Sequence, residues 1–222
     1  MRPEPHFFKY DKMNTSTSKV DPDEIKRLNS AKFCVTEKVH GANFSLHVKK
    51  NGAHMYAKRT GYLKPDEDFF RYQEMAARDF KGLHNLAMAV HELKGTNKVI
   101  LYGELFGGIY PGEDSHTKFP IQSTIYYSPR VEFMIFDIAY VTGPGKAKYM
   151  AHEKVVELAE LNKVLYAKPL FISESGGTSE CLAFNPRFAT KLPAQLGYKK
   201  PTEMPKDNPE NLAEGIVIKP YS

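Results

Sequence analysis

The sequence predicts an α+β fold in which antiparallel sheets are interrupted by helices at irregular intervals. Apolar and polar residues alternate over 43–49, the turn-forming pair Asn51-Gly52 follows, and 53–59 can return as the second strand of a hairpin. Residues 66–93 instead carry apolar side chains at helical spacing. Because strands and helices do not alternate regularly along the chain, we expect antiparallel pairing and not a doubly wound parallel sheet.

The first part of the chain is predicted to contain an irregular arm, a short helix and an opening strand. Residues 1–19 form the arm, and Asp21-Pro22 supplies an N-cap and a first-turn proline for a helix that ends at about Asn29. An apolar strand over 32–37 precedes the hairpin. The longer helix that follows the hairpin is expected to be interrupted near Gly82.

The second half of the chain is predicted to be richer in strands. A buried strand over 99–102 should end just before Glu104, and Ser128-Pro129-Arg130 should turn the chain between two strands. The remaining strands or extended segments are expected over 122–127, 131–138, 164–172 and 214–220, and the remaining helices over 149–162 and 187–196.

Length and charge limit the class of protein. A chain of 222 residues is long enough for one well-buried domain, and no change in composition marks a second one. The formal net charge is +5, and 13 tyrosines and 14 phenylalanines accompany it. Since cationic groups neutralise phosphates and aromatic rings stack on bases, this composition suits a polyanionic partner such as a nucleic acid.

The two cysteines, Cys34 and Cys181, belong to no zinc-binding or disulfide pattern, which favours a reducing compartment. The N-terminus has no apolar signal segment, and no run of eighteen apolar residues occurs. We therefore expect a soluble intracellular protein without a membrane partner, in the cytoplasm or alternatively in an organelle.

The stretch Thr36-Glu37-Lys38-Val39-His40-Gly41-Ala42-Asn43-Phe44 places a lysine at the end of an apolar strand and follows it with histidine and glycine. A lysine amine can attack phosphorus only when it is deprotonated, which burial, a bound metal ion or neighbouring cations can bring about. Gly41 allows a tight turn and a close approach to a ligand. Taken alone, the stretch is more typical of a hairpin with a solvated lysine.

Three further motifs place polar residues on or beside apolar strands. They are Gly103-Glu104-Leu105-Phe106-Gly107, Phe136-Asp137-Ile138 and Glu214-Gly215-Ile216-Val217-Ile218-Lys219-Pro220. With the Lys38 stretch, this ordered series resembles motifs I, III, IIIa and IV of the covalent nucleotidyltransferase superfamily of ligases and capping enzymes. Histidine two positions after the lysine, where DNA ligases usually carry aspartate, makes it similar to the RNA ligase 2 family. Lys58-Arg59-Thr60-Gly61, Asp68-Phe69-Phe70 and Phe8-Lys9-Tyr10 extend the resemblance.

The resemblance implies a single adenylyltransferase domain over 1–222 with an ATP-grasp-like antiparallel architecture. It implies a reaction in three steps, in which Lys38 takes AMP from ATP, AMP passes to an RNA 5′-phosphate, and an RNA 3′-hydroxyl displaces it. The implied cofactors are ATP and Mg²⁺, with Mn²⁺ as a substitute, and the implied partners are RNA strand ends, nicked or single-stranded. Such chemistry needs cations and metal-organising carboxylates around a crowded phosphorus centre.

Carried over position by position, the resemblance makes Lys38 the nucleophile and His40 a group that acts at the later steps. It gives Tyr10 and Gln122 supporting roles. The residues that it implies will contact the nucleotide or its phosphates are Glu37, Asn43, Arg59 and Lys219.

The same resemblance assigns roles to four further residues. Glu104 would bind the ribose or orient metal-bound water, and Phe136 would stack on adenine. Asp137 would hold basic neighbours in place. Glu214 would be the carboxylate nearest the metal ion, with Glu104 as the second metal ligand. Each also has a structural alternative, since Phe136 could be core, Asp137 could cap a turn and Glu104 could be solvated.

One detail of the last strand needs explanation. If 214–220 is a regular strand, Glu214 and Lys219 point to opposite faces, because side chains alternate. Either Gly215 makes a bulge or only one of the two faces the ligand.

The family also carries a Lys-x-Lys pair, motif V, after motif IV, and the sequence stops at Ser222 without it. We expect a truncated sequence, and the alternatives are lysines supplied from elsewhere or a degenerate ligase that binds without sealing. Two other functions stay open. One is a DNA ligase or capping guanylyltransferase, and the other is a non-catalytic RNA-binding module.

Overall fold

The computed structural model describes residues 6–11, 31–143, 146–174 and 176–222. In these ranges it has nine strands and four helices, and every pairing between the strands is antiparallel. The predicted α+β class with antiparallel sheets is confirmed. None of the helices in the described part of the chain has the length and hydropathy needed to cross a bilayer.

The strands form two sheets. The strands are β1 (Phe33–Lys38), β2 (Ala42–Lys49), β3 (His54–Lys58), β4 (Gly61–Tyr62), β5 (Lys98–Ile109), β6 (Ser128–Val141), β7 (Lys148–Tyr149), β8 (Pro169–Ile172) and β9 (Gly215–Pro220). A six-stranded sheet has the order β4-β3-β2-β5-β6-β7, and a three-stranded sheet has the order β8-β1-β9. The helices are α1 (Tyr72–Lys94), α2 (His152–Leu161), α3 (Thr178–Leu182) and α4 (Leu192–Gln195).

The predicted hairpin is present as β2 and β3, and both faces of β2 are covered. Phe44 and Leu46 are fully buried in the main core, which includes apolar residues of α1. On the opposite face His47 is also buried and stacks on Phe7, with 5.6 Å between the ring centroids. The segment 6–11 therefore covers the face of the large sheet opposite α1.

The long helix α1 differs from the prediction in its start and its continuity. It begins at Tyr72, not at 66 or 67, and it runs without a break through Gly82. A Cβ at Gly82 would lie 3.0 Å from the carbonyl oxygen of Asn162, at the end of α2. The predicted interruption is wrong because this glycine permits close packing between helices.

The two central strands are longer than predicted. β5 continues past Tyr102, so Glu104 lies inside a strand and not at its end. β6 includes Ser128-Pro129-Arg130, which the sequence analysis assigned to a turn, because β5 and β6 remain paired as far as Ile109 and Ser128.

The segment 122–127 is not a strand. Its backbone is bound by a side chain instead, because Asn211 pairs with both the N–H and the carbonyl of Tyr126. The segment 187–196 contains only the short α4, with Pro193 in its first turn. The helix predicted over 21–29 lies outside the described residues.

Candidate active site

A cavity of about 660 Å³ lies between the two sheets and contains most of the predicted site. Its walls come from β1 and β9 on one side and from β2, β5 and β6 on the other. The predicted residues that line it are Tyr10, Glu37, Lys38, His40, Asn43, Arg59, Glu104, Phe136, Glu214 and Lys219. Of the other two, Asp137 lies behind this lining and Gln122 lies beside it.

Lys38 is the last residue of β1, and its side chain meets an acid. Its Nζ donates a hydrogen bond to Glu214 Oε1, and His40 Nδ1 lies 3.4 Å from the other oxygen of the same carboxylate. The Lys38 side chain is 40% exposed. The direct hydrogen-bonding partner of Lys38 in this structure is therefore an acid.

The turn after Lys38 is held against the large sheet. The backbone N–H of His40 donates to the buried hydroxyl of Tyr127 at 3.0 Å. A Cβ at Gly41 would lie 2.0 Å from the carbonyl oxygen of Leu105 and 2.9 Å from Cγ of Glu104. Glycine is thus required for the close approach of the turn to β5, which brings Lys38 near Glu104.

Glu104 projects from the middle of β5 and is directly opposite Asn43 in the pairing of β2 with β5. Burial and the nearby charge of Glu214 raise the pKa of Glu104 to about 8, although Lys38 and Arg59 oppose the shift. Glu104 and Glu214 are thus close enough to repel each other. Lys38 and Arg59 lie near Glu104.

A β-bulge explains how the consecutive residues Phe136 and Asp137 can both contact Tyr10. Tyr102 pairs with Asp137, whereas the next residue, Gly103, pairs with Ile135, so Phe136 is an extra residue in β6. Without the bulge, consecutive side chains would point to opposite faces. Gly103 makes room for this geometry, because a Cβ there would lie 2.3 Å from the carbonyl oxygen of Met134.

Asp137 connects the two sheets and the N-terminal segment. Its Oδ1 accepts a hydrogen bond from Lys219 Nζ of β9 at 2.7 Å, and its Oδ2 accepts one from the Tyr10 hydroxyl at 2.5 Å. Lys219 also donates to the carbonyl oxygen of Phe136 at 2.6 Å. Burial and the Asp137 carboxylate raise the pKa of the Tyr10 phenol well above its usual range. Asp137 thus contacts a basic neighbour, as the resemblance implies.

Both Glu214 and Lys219 line the cavity, which answers the question about their faces. Val217 and Lys219 are two residues apart in β9 and therefore share one face of the strand. Glu214 precedes the strand and is joined to it by Gly215, whose φ is 154°. Glu214 therefore lies outside the regular strand, and the alternation of side chains in β9 does not determine its direction.

Two of the predicted residues, Glu37 and Gln122, make hydrogen bonds to other parts of the protein. The Glu37 carboxylate accepts hydrogen bonds from Thr190 Oγ1 and from the backbone N–H of Lys191, the latter at 2.9 Å. Burial raises the pKa of Glu37, while these two bonds oppose the shift. Gln122 is exposed and donates to the Gly41 carbonyl oxygen at 3.3 Å.

Sequence reasoning did not find three residues that help to form the site. Tyr127 was assigned only to a strand, and Thr190 only to a short helix. Met134 lines the cavity two residues before Phe136. The alternation of β6 could have indicated Met134, but the contacts of Tyr127 and Thr190 join distant segments and leave no local pattern.

The carboxylates fit a divalent metal ion only together with other ligands. In the portions of the chain that the structure covers, no three His, Cys, Asp or Glu side chains form a group that could hold a metal ion. Mg²⁺ is commonly bound by one or two carboxylates that are completed by phosphate oxygens and water. Glu104 and Glu214 match that donor set.

Comparisons with known proteins agree with this architecture. A family model described as RNA ligase matches residues 31–222. The chain is 32% identical over 234 residues to the mitochondrial RNA-editing ligase 1 of Trypanosoma brucei brucei, covering 92% of this chain and 48% of that protein. Its identity to the mitochondrial RNA-editing ligase 2 of the same organism is 29%, covering 91% and 54%. The chain therefore spans about half the length of the curated relatives that it matches.

Solved structures show the same fold at low identity. A Naegleria gruberi RNA ligase with ATP and Mn superposes with a TM-score of 0.59 at 18% identity, covering 97% of this chain and 53% of that one. The same ligase with AMP and Mn gives a TM-score of 0.58 at 18% identity, with the same coverage. Since the family model covers most of the sequence and a relative above 30% identity covers nearly all of it, the chain belongs to the RNA ligase family.

Proposed function

We propose that the protein is an ATP-dependent RNA ligase and that residues 1–222 contain its adenylyltransferase domain. The observation that carries the proposal is the meeting of Lys38 and Glu214, which are 176 residues apart, in a cavity that also receives Glu104 and Phe136. A cavity in which a lysine meets carboxylates and an aromatic side chain suits a nucleotide that is attacked at phosphorus. Family membership supports RNA as the substrate.

The first step forms a bond between Lys38 Nζ and the α-phosphorus of ATP, and the bond to the departing pyrophosphate breaks. Lys38 must lose a proton for this attack, and Glu214 already accepts its hydrogen bond and can receive that proton. AMP then passes from Lys38 to an RNA 5′-phosphate. In the last step an RNA 3′-hydroxyl displaces AMP and joins the strands.

The remaining residues bind and orient the nucleotide. Phe136 offers an aromatic face to adenine, and Lys219 and Arg59 offer cations to phosphate oxygens. Lys219 is held in place by Asp137, so its ammonium group does not need to be ordered when the nucleotide arrives. Mg²⁺, or Mn²⁺ in its place, held by Glu104 and Glu214 would neutralise charge on the phosphate oxygens.

The proposal is tested by measuring the intact mass after incubation with ATP and magnesium. We expect one added AMP on the wild-type protein, none on Lys38→Ala, and an unchanged adduct on the control Lys154→Ala, whose lysine is exposed on α2. An adduct of unchanged yield on Lys38→Ala would exclude the proposed nucleophile.

His40 separates the first step from the later ones. Its ring lies beside Glu214, and the resemblance assigns it to the later steps, so His40→Ala should still form the adduct but fail to join nicked RNA. Offering labelled ATP or GTP, and nicked RNA or DNA, distinguishes the RNA ligase from a DNA ligase or a guanylyltransferase. RNA retention without any covalent label would favour a non-catalytic RNA-binding module.

A further inference from the structure

We infer that Asn211 is a positioning residue for the proposed adenylylation, because it joins three chain segments that hold Lys38, His40 and Glu214 together. The inference rests on the proposed function and deepens it. Asn211 is buried, does not line the cavity, and has no role in the motifs that the sequence analysis compared. Its importance follows from what its side chain and backbone contact.

The side chain of Asn211 fixes a segment that has no strand of its own. The backbone N–H of Tyr126 donates to Asn211 Oδ1 at 2.9 Å, and Asn211 Nδ2 donates to the Tyr126 carbonyl oxygen at 2.7 Å. Both backbone groups of one residue are thereby satisfied by one amide. The adjacent Tyr127 accepts the N–H of His40 with its hydroxyl. This first connection therefore reaches the turn that follows Lys38.

The backbone of Asn211 makes the second connection. Its carbonyl oxygen accepts the N–H of Thr190 at 2.8 Å. Thr190 Oγ1 in turn donates to the carboxylate of Glu37, the residue that precedes Lys38. Thr190 thus contacts the residue before Lys38, and Tyr127 contacts the residue two positions after it.

The third connection runs along the chain to Glu214. Asn211 lies three residues before Glu214, and its backbone has a left-handed φ of 50°. Asparagine is one of the few residues other than glycine that tolerate this left-handed conformation. The N–H of Asn211 donates to the carbonyl oxygen of Asn208 at 3.0 Å, which closes the turn. The position of the Glu214 carboxylate therefore depends on the same residue.

Thr124, near the contact of Asn211 with Tyr126, has a strained backbone conformation that contacts from the 208–211 turn maintain. Thr124 has a φ of 79°, which is unfavourable for a β-branched side chain. Its carbonyl oxygen accepts a hydrogen bond from Asn208 Nδ2 at 2.9 Å. Such strain persists only where surrounding contacts impose it, and here the contacts come from the same 208–211 turn.

These connections should affect catalysis more than nucleotide binding. Lys38, His40 and Glu214 must be placed to within a fraction of an ångström, and a displacement of about 1 Å can cost about 100-fold in rate. Phe136 and Lys219, which the proposed function assigns to nucleotide binding, are held by β6, β9 and Asp137 instead. Loss of the Asn211 side chain should therefore lower the maximal rate of adduct formation. The ATP concentration at half-maximal rate should stay nearly unchanged.

The test compares Asn211→Gly, Asn211→Ala and the control Asn162→Ala. Glycine keeps the left-handed conformation and removes only the amide, whereas alanine also strains the backbone. Asn162 makes a comparable side-chain bond to the Leu158 carbonyl oxygen and does not line the cavity. We measure the maximal rate of AMP adduct formation, the ATP concentration at half-maximal rate, and amide hydrogen exchange over 36–41.

For Asn211→Gly we expect a rate that is about 10- to 100-fold lower, a half-saturating ATP concentration within about 3-fold of wild type, and faster exchange over 36–41. Asn211→Ala should be at least as impaired, and Asn162→Ala should match wild type. A wild-type rate in Asn211→Gly, or a loss explained by a rise in the ATP requirement alone, would overturn the positioning role. If wild type forms no adduct, the proposed function fails, and hydrogen exchange still decides whether Asn211 holds the 36–41 turn.

Discussion

At the scale of single residues, side chains far from Lys38 help to position the groups that form the site. The N-terminal segment brings Tyr10 to Asp137, and the same segment is held at its other end by Phe7 on His47. His47 is buried, with Ser45 Oγ 3.1 Å from its Nε2. The position of Tyr10 thus depends partly on a histidine that must remain neutral.

Burial and the nearby Lys98 lower the pKa of His47 to about 3, from an ordinary value of 6.5. Between these two pH values the unfolded chain binds a proton at this position and the folded protein does not, so folding stability falls as the pH falls. The contribution is at most about 1.4 kcal/mol per pH unit. Urea unfolding at pH 7, 5.5 and 4 should show a shallower decline for His47→Gln than for wild type. Equal declines would show that His47 does not carry this dependence.

At the scale of elements, the close approach of the turn after β1 to β5 depends on Gly41. The turn that carries His40 touches the backbone of Leu105, and this contact sets how near Lys38 comes to Glu104. Strand pairing alone would not position the lysine, because Lys38 belongs to the other sheet. Gly41 therefore helps to set the distance between Lys38 of the small sheet and Glu104 of the large sheet.

Gly41→Ala should push the turn away from β5, because the new Cβ would lie 2.0 Å from the Leu105 carbonyl oxygen, which cannot rotate away. We expect a loss of about 1–3 kcal/mol in unfolding free energy and at least a 100-fold lower rate of adduct formation. Gly61→Ala is the matched control, since a Cβ at Gly61 meets no atom within 4 Å. The interpretation fails if the two variants behave alike in urea unfolding and in the mass assay.

The elements also show what the sequence can and cannot specify. The alternation of 43–49 and the Asn51-Gly52 turn were enough to predict the hairpin, and the ordered motifs were enough to identify most of the cavity lining. The bulge at Phe136 was not predictable, because it arises from the pairing of β6 with β5 and changes no local pattern. The segment 122–127 was mistaken for a strand since its partner is the Asn211 side chain, which lies far away in sequence.

At the scale of the whole molecule, the cavity exists because two sheets face each other and are joined across the gap. The ion pair of Lys219 with Asp137 is the most buried of these connections to involve proposed site residues, with side-chain exposures of 14% and 12%. Tyr10 adds the N-terminal segment to the same carboxylate. A single buried group thus unites the small sheet, the large sheet and the segment that covers its outer face.

Removing one partner from a buried ion pair is costlier than removing one from an exposed pair, because the remaining charge stays uncompensated. Among the residues that the structure describes, Lys219→Met leaves Asp137 with only the Tyr10 hydroxyl, so we expect a loss of about 3 kcal/mol in unfolding free energy. The control Lys154→Met breaks a pair with Glu157 whose side chains are about half exposed, and it should cost less than about 1 kcal/mol. The double variant Lys219→Met with Asp137→Leu removes both charges and should recover part of the loss. Urea unfolding of the four proteins measures these differences, and equal losses for the two single variants would mean that the sheets are held together by apolar packing alone.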